Sequence, residues 1–189
     1  LSDELTYRYL KPAELCIADA PTLISTVLGS CVSLVLHARK QGLSAICHAL
    51  LPTGSCLESG YRFVDCSIEH MLSGMRERGL RPGDLEAKLF GGSDMFSFQG
   101  HPGRGTVGSQ NIESAYAMIA RHGLNLVASD VGGARGRKLI LHSHTGDVFV
   151  KLLGVRATLL PDGGGAEGLL PEATSARRKH GRPAVRSES

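Results

Sequence analysis

The period of apolar and polar positions changes several times along the chain, and each change marks an element. Cys31 to Leu36 (Cys-Val-Ser-Leu-Val-Leu) reads as a strand, and Leu43 to Leu51 reads as a second one that stops at Pro52. Arg39-Lys40-Gln41-Gly42 lies between them as a turn, so the pair predicts a hairpin. Upstream, Thr22 to Thr26 leads into a loop at Leu28-Gly29-Ser30. The period then becomes helical. Val64, Ile68, Met71, Leu72 and Met75 share one face, which predicts a helix over about 63–78 closed by Gly79. Leu85 to Phe90 alternates like a half-buried strand ending at Gly91-Gly92. A second helix is expected over about 110–121, with Ile112, Ala115, Tyr116 and Ile119 inward and Gly123 just beyond. Strands are expected again at 124–128, 138–141 and 148–153, the last two joined through Thr145-Gly146-Asp147. Thr53 to Gly60 and the glycine-rich stretch Ser97 to Gly108 read as loops, the second one able to move. Two helices on a mostly antiparallel sheet define an α+β protein.

Past Gly154 the large apolar residues thin out and Gly, Pro, Ser, Arg and Glu take over. Such a composition cannot bury enough apolar surface to offset its ordering entropy. The expectation is one domain over 1–154 and a disordered tail over 155–189, whose Arg177-Arg178-Lys179-His180 run is better read as solvated than as a contact for an acidic partner.

Composition narrows the function classes. The chain has 189 residues, 42% hydrophobic and 21% charged, which suits one ordinary globular domain. With aromatics at 5% and no Trp, the core must come from Leu, Val, Ile, Ala and Met. A net charge of +3, without a basic stripe interleaved with aromatics, gives no argument for nucleic acid. No apolar run is long enough to span a bilayer as a helix, and the first residues show no basic-then-apolar secretory pattern. Position 1 is Leu, which suggests that a few native residues precede it. Five cysteines, an odd number without a C-x-x-C pair, offer no disulfide framework and predict reduced thiols in a cytoplasmic protein.

The hairpin carries the most informative chemistry. If Ala38 faces Leu43, then Ser33 faces His48 and Cys31 faces Leu50. Cys31 and His48 become diagonal neighbours on one face, with Cβ atoms roughly 7 Å apart. A one-residue slip would separate them. An adjacent imidazole can take a thiol's proton, and a histidine-paired thiol is expected to be largely thiolate near neutral pH. Gly29-Ser30 before Cys31 would let backbone N–H groups crowd an oxyanion. The competing reading is a buried Cys beside a hydrogen-bonded strand His. Other pairs are weaker. Cys66 and His70 stand at i, i+4, with Cys56 or Cys47 as further metal ligands, but four convergent ligands are not evident. His142 and His144 read as a solvated pair near a turn. The glycines of 100–108 lack the Lys-Ser/Thr ending of a phosphate loop.

The residues also resemble a family. Leu28-Gly29-Ser30-Cys31-Val32, His48 with Leu51-Pro52, Leu85 to Gly92 and Met95-Phe96 occur here in the order found in CheD, the chemoreceptor glutamine deamidases. Val107-Gly108-Ser109-Gln110-Asn111, Asp130-Val131-Gly132-Gly133, Gly136-Arg137-Lys138 and Thr145-Gly146 continue the likeness, from about Tyr7 to Leu153. The resemblance implies a layered α/β/β sandwich similar to the catalytic domain of cytotoxic necrotizing factor toxins. It implies hydrolysis of receptor glutamines to glutamates, with Cys31 as nucleophile, His48 as base and no cofactor. The family's third position, a threonine six residues before the cysteine, is Ser25 here, with Thr26 next to it. On that basis the Ser25 hydroxyl is expected near the imidazole. The chemoreceptor cytoplasmic domain is the implied substrate. A second implied role is an adaptor for the phosphatase CheC.

Overall fold

A computed structural model describes residues 5–56, 60–94 and 105–154, all within one compact unit, Leu1–Arg156. The expectations for Met95-Phe96, for most of the 97–108 loop and for the tail lie outside the described residues.

Among the described residues, nine strands build two sheets. In the first, β1 (Thr6–Tyr9), β3 (Thr22–Leu28), β8 (Arg137–His142) and β9 (Asp147–Leu152) lie in the order β1-β3-β8-β9. In the second, β2 (Leu15–Ala18), β4 (Val32–Ala38), β5 (Leu43–Cys47), β6 (Glu86–Gly91) and β7 (Asn125–Val131) lie in the order β2-β5-β4-β6-β7. The pairings β1–β3 and β6–β7 are parallel, and the rest of those described are antiparallel. Helices α1 (Val64–Glu77) and α2 (Val107–Arg121) cover one face of the five-stranded sheet.

The layers follow from which residues alternate. In β4, Val32, Leu34, Leu36 and Ala38 point to the helices, where Val64, Ile68, Met71, Leu72 and Met75 of α1 meet them. Val35 of β4 and Ile46 of β5 point the other way and pack on Ile24, Leu28, Leu139 and Leu141 of the four-stranded sheet. β4 is buried at every position because both of its faces are covered. That explains its near-continuous apolar run, where β8 alternates buried and half-buried positions. The result is the expected α/β/β layering.

Three local expectations change. β1 and β2 were not legible as strands, being four residues each. α2 starts at Val107, earlier than expected, because the Thr106 side chain caps it by accepting from Ser109 N–H. Its inward face carries Gly108, Asn111, Ala115, Met118 and Ile119, while Tyr116 is exposed. Ile112, Ala115 and Ile119 do face the core, so of the four expected inward residues Tyr116 is the one that differs.

Candidate functional site

β3 belongs to the four-stranded sheet and β4 to the five-stranded one, so Gly29-Ser30-Cys31 is the crossing between layers. That crossing leaves Cys31 half-buried at the rim of the space between the sheets. The hairpin register is the one the turn predicts. Ala38 pairs with Leu43 and Val35 with Ile46, and Val32 exchanges both backbone hydrogen bonds with Ala49 (3.0 and 2.9 Å). The same register puts Ser33 opposite His48, with Cys31 diagonal to His48 on the face turned toward the other sheet.

His48 is buried, and across the layer it meets Thr26 of β3. Thr26 Oγ1 lies 2.8 Å from His48 Nδ1 and donates to the Leu10 carbonyl at 2.9 Å. A hydroxyl has one proton. Because Leu10 takes it, Thr26 accepts from the ring, and Nδ1 carries the hydrogen. Nε2 is therefore the bare, basic nitrogen, and it has no hydrogen-bond partner among the described residues. Burial pushes the His48 pKa below its ordinary 6.5, opposed by the Leu10 carbonyl and then by Glu14. Burial also pushes the Cys31 thiol above its ordinary 9.0, opposed by its own backbone N–H. Both directions favour the uncharged thiol and the uncharged imidazole, because desolvation disfavours each charged form, and this runs against the expectation of a standing thiolate.

The hydroxyl at the imidazole belongs to Thr26, not Ser25. Ser25 is the neighbour of Thr26 on β3, and its side chain leaves the opposite face, where it hydrogen-bonds the Tyr7 hydroxyl. Strand alternation is the reason: Ile24, Thr26 and Leu28 point between the sheets, so Ser25 cannot.

The crossing is held by its carbonyls. Gly29 O accepts from Ser93 N–H (2.8 Å), Cys31 O from Gly92 N–H (2.7 Å), and Ser30 O from Asn111 Nδ2 (2.9 Å). No described residue accepts from the N–H groups of Ser30 and Cys31 other than the Cys31 sulfur itself. Gly91 must be glycine here. Its φ is +106°, and an added Cβ would lie 2.2 Å from the Cys31 carbonyl oxygen. Arg137, almost wholly buried, braces this turn by donating from Nη1 to Gly91 O (2.7 Å) and from Nη2 to Gly132 O (2.8 Å). Asn111 and Arg137 stood in the sequence motifs without a role at the site, and Thr26 stood as the neighbour of Ser25, the hydroxyl expected at the ring. Thr26 shares its parity with Ile24 and Leu28, and that was the signal available for it.

The other candidates disperse. Cys56 and Cys66 are joined in a disulfide, which corrects the expectation of reduced thiols. The loop after Pro52 brings Cys56 back over the start of α1, a contact that spacing alone does not reveal. His70 Nδ1 is 2.8 Å from the Cys66 carbonyl oxygen one turn earlier, and Cys47 sits in the helix-side core. No group of three or more potential metal ligands converges among the described residues. His142 stacks at a tilt on Phe149, and His144 lies beside Gly42 at the hairpin turn. Among the described residues, no helix is long and apolar enough to cross a membrane.

Fold and site together define a two-sheet protein with one helical layer and a thiol, an imidazole and a hydroxyl gathered between its sheets. Residues 50–152 match the family model described as CheD chemotactic sensory transduction. A Geobacter sulfurreducens protein named "Probable chemoreceptor glutamine deamidase CheD 2" is 47% identical over 79% of this chain and 92% of its own length. An Oleidesulfovibrio alaskensis protein named "Probable chemoreceptor glutamine deamidase CheD" is 41% identical over 82% and 77%. A Maridesulfovibrio salexigens protein of that name is 36% identical over 77% and 91%. The chain belongs to the CheD family. The family-model match begins at residue 50, beyond Cys31 and His48, and takes in Gly91, Asn111 and Arg137 around the crossing.

Proposed function

We propose that this chain hydrolyses glutamine side chains on the cytoplasmic domain of chemoreceptors, with Cys31 as nucleophile and His48 as general base. The observation that carries the reading is the Thr26 hydroxyl, set between the Leu10 carbonyl and His48 Nδ1. Thr26 and Leu10 fix the hydrogen on Nδ1, which leaves Nε2 basic on the face that Cys31 shares.

The chemistry runs from that arrangement. Nε2 takes the Cys31 proton as the sulfur attacks the glutamine carboxamide carbon. The thiolate forms during attack, in keeping with burial that favours the uncharged thiol and imidazole. Negative charge developing on the carboxamide oxygen is met by the N–H groups of Ser30 and Cys31. The tetrahedral intermediate collapses, the imidazolium returns its proton to the nitrogen, and ammonia leaves. Water then loses a proton to Nε2 and attacks the thioester. The C–S bond breaks, glutamate forms, and the proton returns to sulfur. No cofactor enters these steps. Receptor glutamate methyl esters would be hydrolysed by the same route.

A second reading is an adaptor that binds the phosphatase CheC. It has one observation behind it: Tyr7, Tyr9 and Phe149 lie exposed on the outer face of the four-stranded sheet, an apolar patch in a chain poor in aromatics. Ammonia release from a purified receptor cytoplasmic fragment, read with mass spectrometry of its glutamines, separates the two. Release by this chain alone supports the deamidase. Loss of every effect unless CheC is added overturns it.

A further inference from the structure

Beyond the Val32–Ala49 pair the β4–β5 ladder stops. A continued ladder would join Ser30 to Leu51, but the N–H groups of Leu50 and Leu51 both turn to the Arg62 carbonyl (2.8 and 3.2 Å). The strands splay where they carry the reactive side chains, and Ser30 O and Leu50 O are left without ladder partners. One side chain fills the gap. Asn111, in the second turn of α2 and wholly buried, donates from Nδ2 to Ser30 O and to Leu50 O, each at 2.9 Å.

We infer that Asn111 is a positioning residue for the Cys31–His48 pair, setting the distance between the strand end that bears the thiol and the one that bears the imidazole. The inference rests on the assignment of chemistry to that pair. The geometry supports it in three ways. Ser30 adjoins Cys31 and Leu50 follows His48 by two residues, so the amide spans the two arms of the site. Each proton of the NH2 group has one carbonyl, so the group is fully used in this bridge. Asn111 Oδ1 is buried with no partner among the described residues. An unpaired buried acceptor is unfavourable, so the donors are what the fold retains this side chain for. Of the three donors that hold the carbonyls of residues 29–31, the other two are backbone N–H groups of Gly92 and Ser93. Asn111 is thus the member that a substitution removes.

α2 supplies an internal control. Ser114 Oγ donates to the Pro52 carbonyl at 2.6 Å, tying the same helix to the same segment without touching Ser30.

The test compares Asn111→Ala, Asn111→Gln and Ser114→Ala in the full chain. Two readouts are taken: iodoacetamide alkylation of Cys31 against pH with no receptor present, and kcat and KM for ammonia release. Displacing reactive groups by about 1 Å costs up to about 100-fold in rate. Asn111→Ala is expected to lower kcat by roughly 10- to 100-fold with KM within about twofold, and to move the pH profile of Cys31 alkylation. Asn111→Gln keeps both donors one methylene further out and should show the same changes in smaller measure, with the fold intact. Ser114→Ala should match the native protein in both readouts. A lower melting temperature in Asn111→Ala with native kcat and a native alkylation profile reduces Asn111 to a structural role and overturns the inference. If Asn111→Ala does not fold, Asn111→Gln decides: native values in both readouts overturn it. Native ammonia release by Cys31→Ala would sink the assignment of the pair itself, and the alkylation profiles would still report on the bridge.

Discussion

Replacing Thr26 with Val keeps the shape of the side chain and removes only its hydroxyl. Two bonds go with it, one to the Leu10 carbonyl and one from His48 Nδ1. Thr26 is wholly buried, so no water replaces the hydroxyl, and two polar groups are left one bond short. Leaving buried groups unpaired costs about 1–3 kcal/mol. For a domain of this size, that lowers the melting temperature by about 2–12 °C. The effect on turnover comes through the tautomer. A neutral hydrogen bond of about 0.5–1.5 kcal/mol biases the ring toward hydrogen on Nδ1 by about two- to thirteenfold. Without it more of the ring carries hydrogen on Nε2, where it cannot accept the thiol proton. Turnover should fall by about three- to tenfold. Thr26→Ser should restore it, and Ser25→Ala, which loses only the Tyr7 contact, should stay within about twofold. Steady-state ammonia release on one receptor fragment compares the four proteins, and nitrogen NMR of the His48 ring reads the tautomer directly. A fully active Thr26→Val beside an impaired Ser25→Ala would refute the reasoning.

Cys31→Ala should abolish ammonia release with the fold retained, and in the native protein iodoacetamide should label Cys31 ahead of buried Cys16 and Cys47; equal labelling of the three would count against it. His48→Ala should lower turnover by about 10²–10⁴-fold, and a larger loss from His70→Ala or His142→Ala with the fold preserved would name a different base. Stability should hold a plateau between the ordinary histidine and thiol values, 6.5 and 9.0. Burial lowers the pKa of both His37 and His48, so the unfolded chain binds protons first and stability falls as pH drops below 6.5. Burial raises Cys16, Cys31 and Cys47, the last to about 11, so the unfolded chain loses protons first and stability falls as pH rises past 9.0. Denaturant midpoints across pH check both limbs, and a midpoint still rising above pH 9 would contradict the alkaline one. Gly91→Ala should destabilise by more than about 1 kcal/mol, since its φ is disallowed to L residues and the clash is with backbone; thermal unfolding measures it.

How much of this was legible depends on where the deciding contact lies along the chain. The Cys31–His48 diagonal rests on a four-residue turn and a ladder that keeps one register from Ala38–Leu43 to Val32–Ala49, so local pattern was enough. The first helix was equally legible, because its buried stripe faces a single layer. The long-range members were not. Asn111 reaches residues 81 and 61 positions away, and an inward polar side chain in a helix looks like a surface residue until its carbonyls are known. Nor does spacing show that the cysteines at 56 and 66 meet, because the turn after Pro52 sets that contact.

β3 shows the limit most sharply. Its sequence offers two equivalent stripes, Leu23-Ser25-Val27 and Ile24-Thr26-Leu28, each with a hydroxyl between two apolar residues. Period-two reasoning says that only one stripe enters the space between the sheets but cannot say which. The choice is made by β8, which pairs Ser25 with Ile140 and Thr26 with Leu139, and by the layer behind it. Leu139 and Leu141 are wholly buried and Ile140 is half-buried, so Thr26 shares the row that faces the second sheet. Val27 on the other stripe is 38% exposed. Ser25 is as fully buried as Thr26 but is covered by Tyr7 on the other face, so a hydroxyl that serves His48 had to stand on the stripe turned toward the second sheet. Counting residues back from the cysteine could not supply that condition, which the packing of the second sheet imposes.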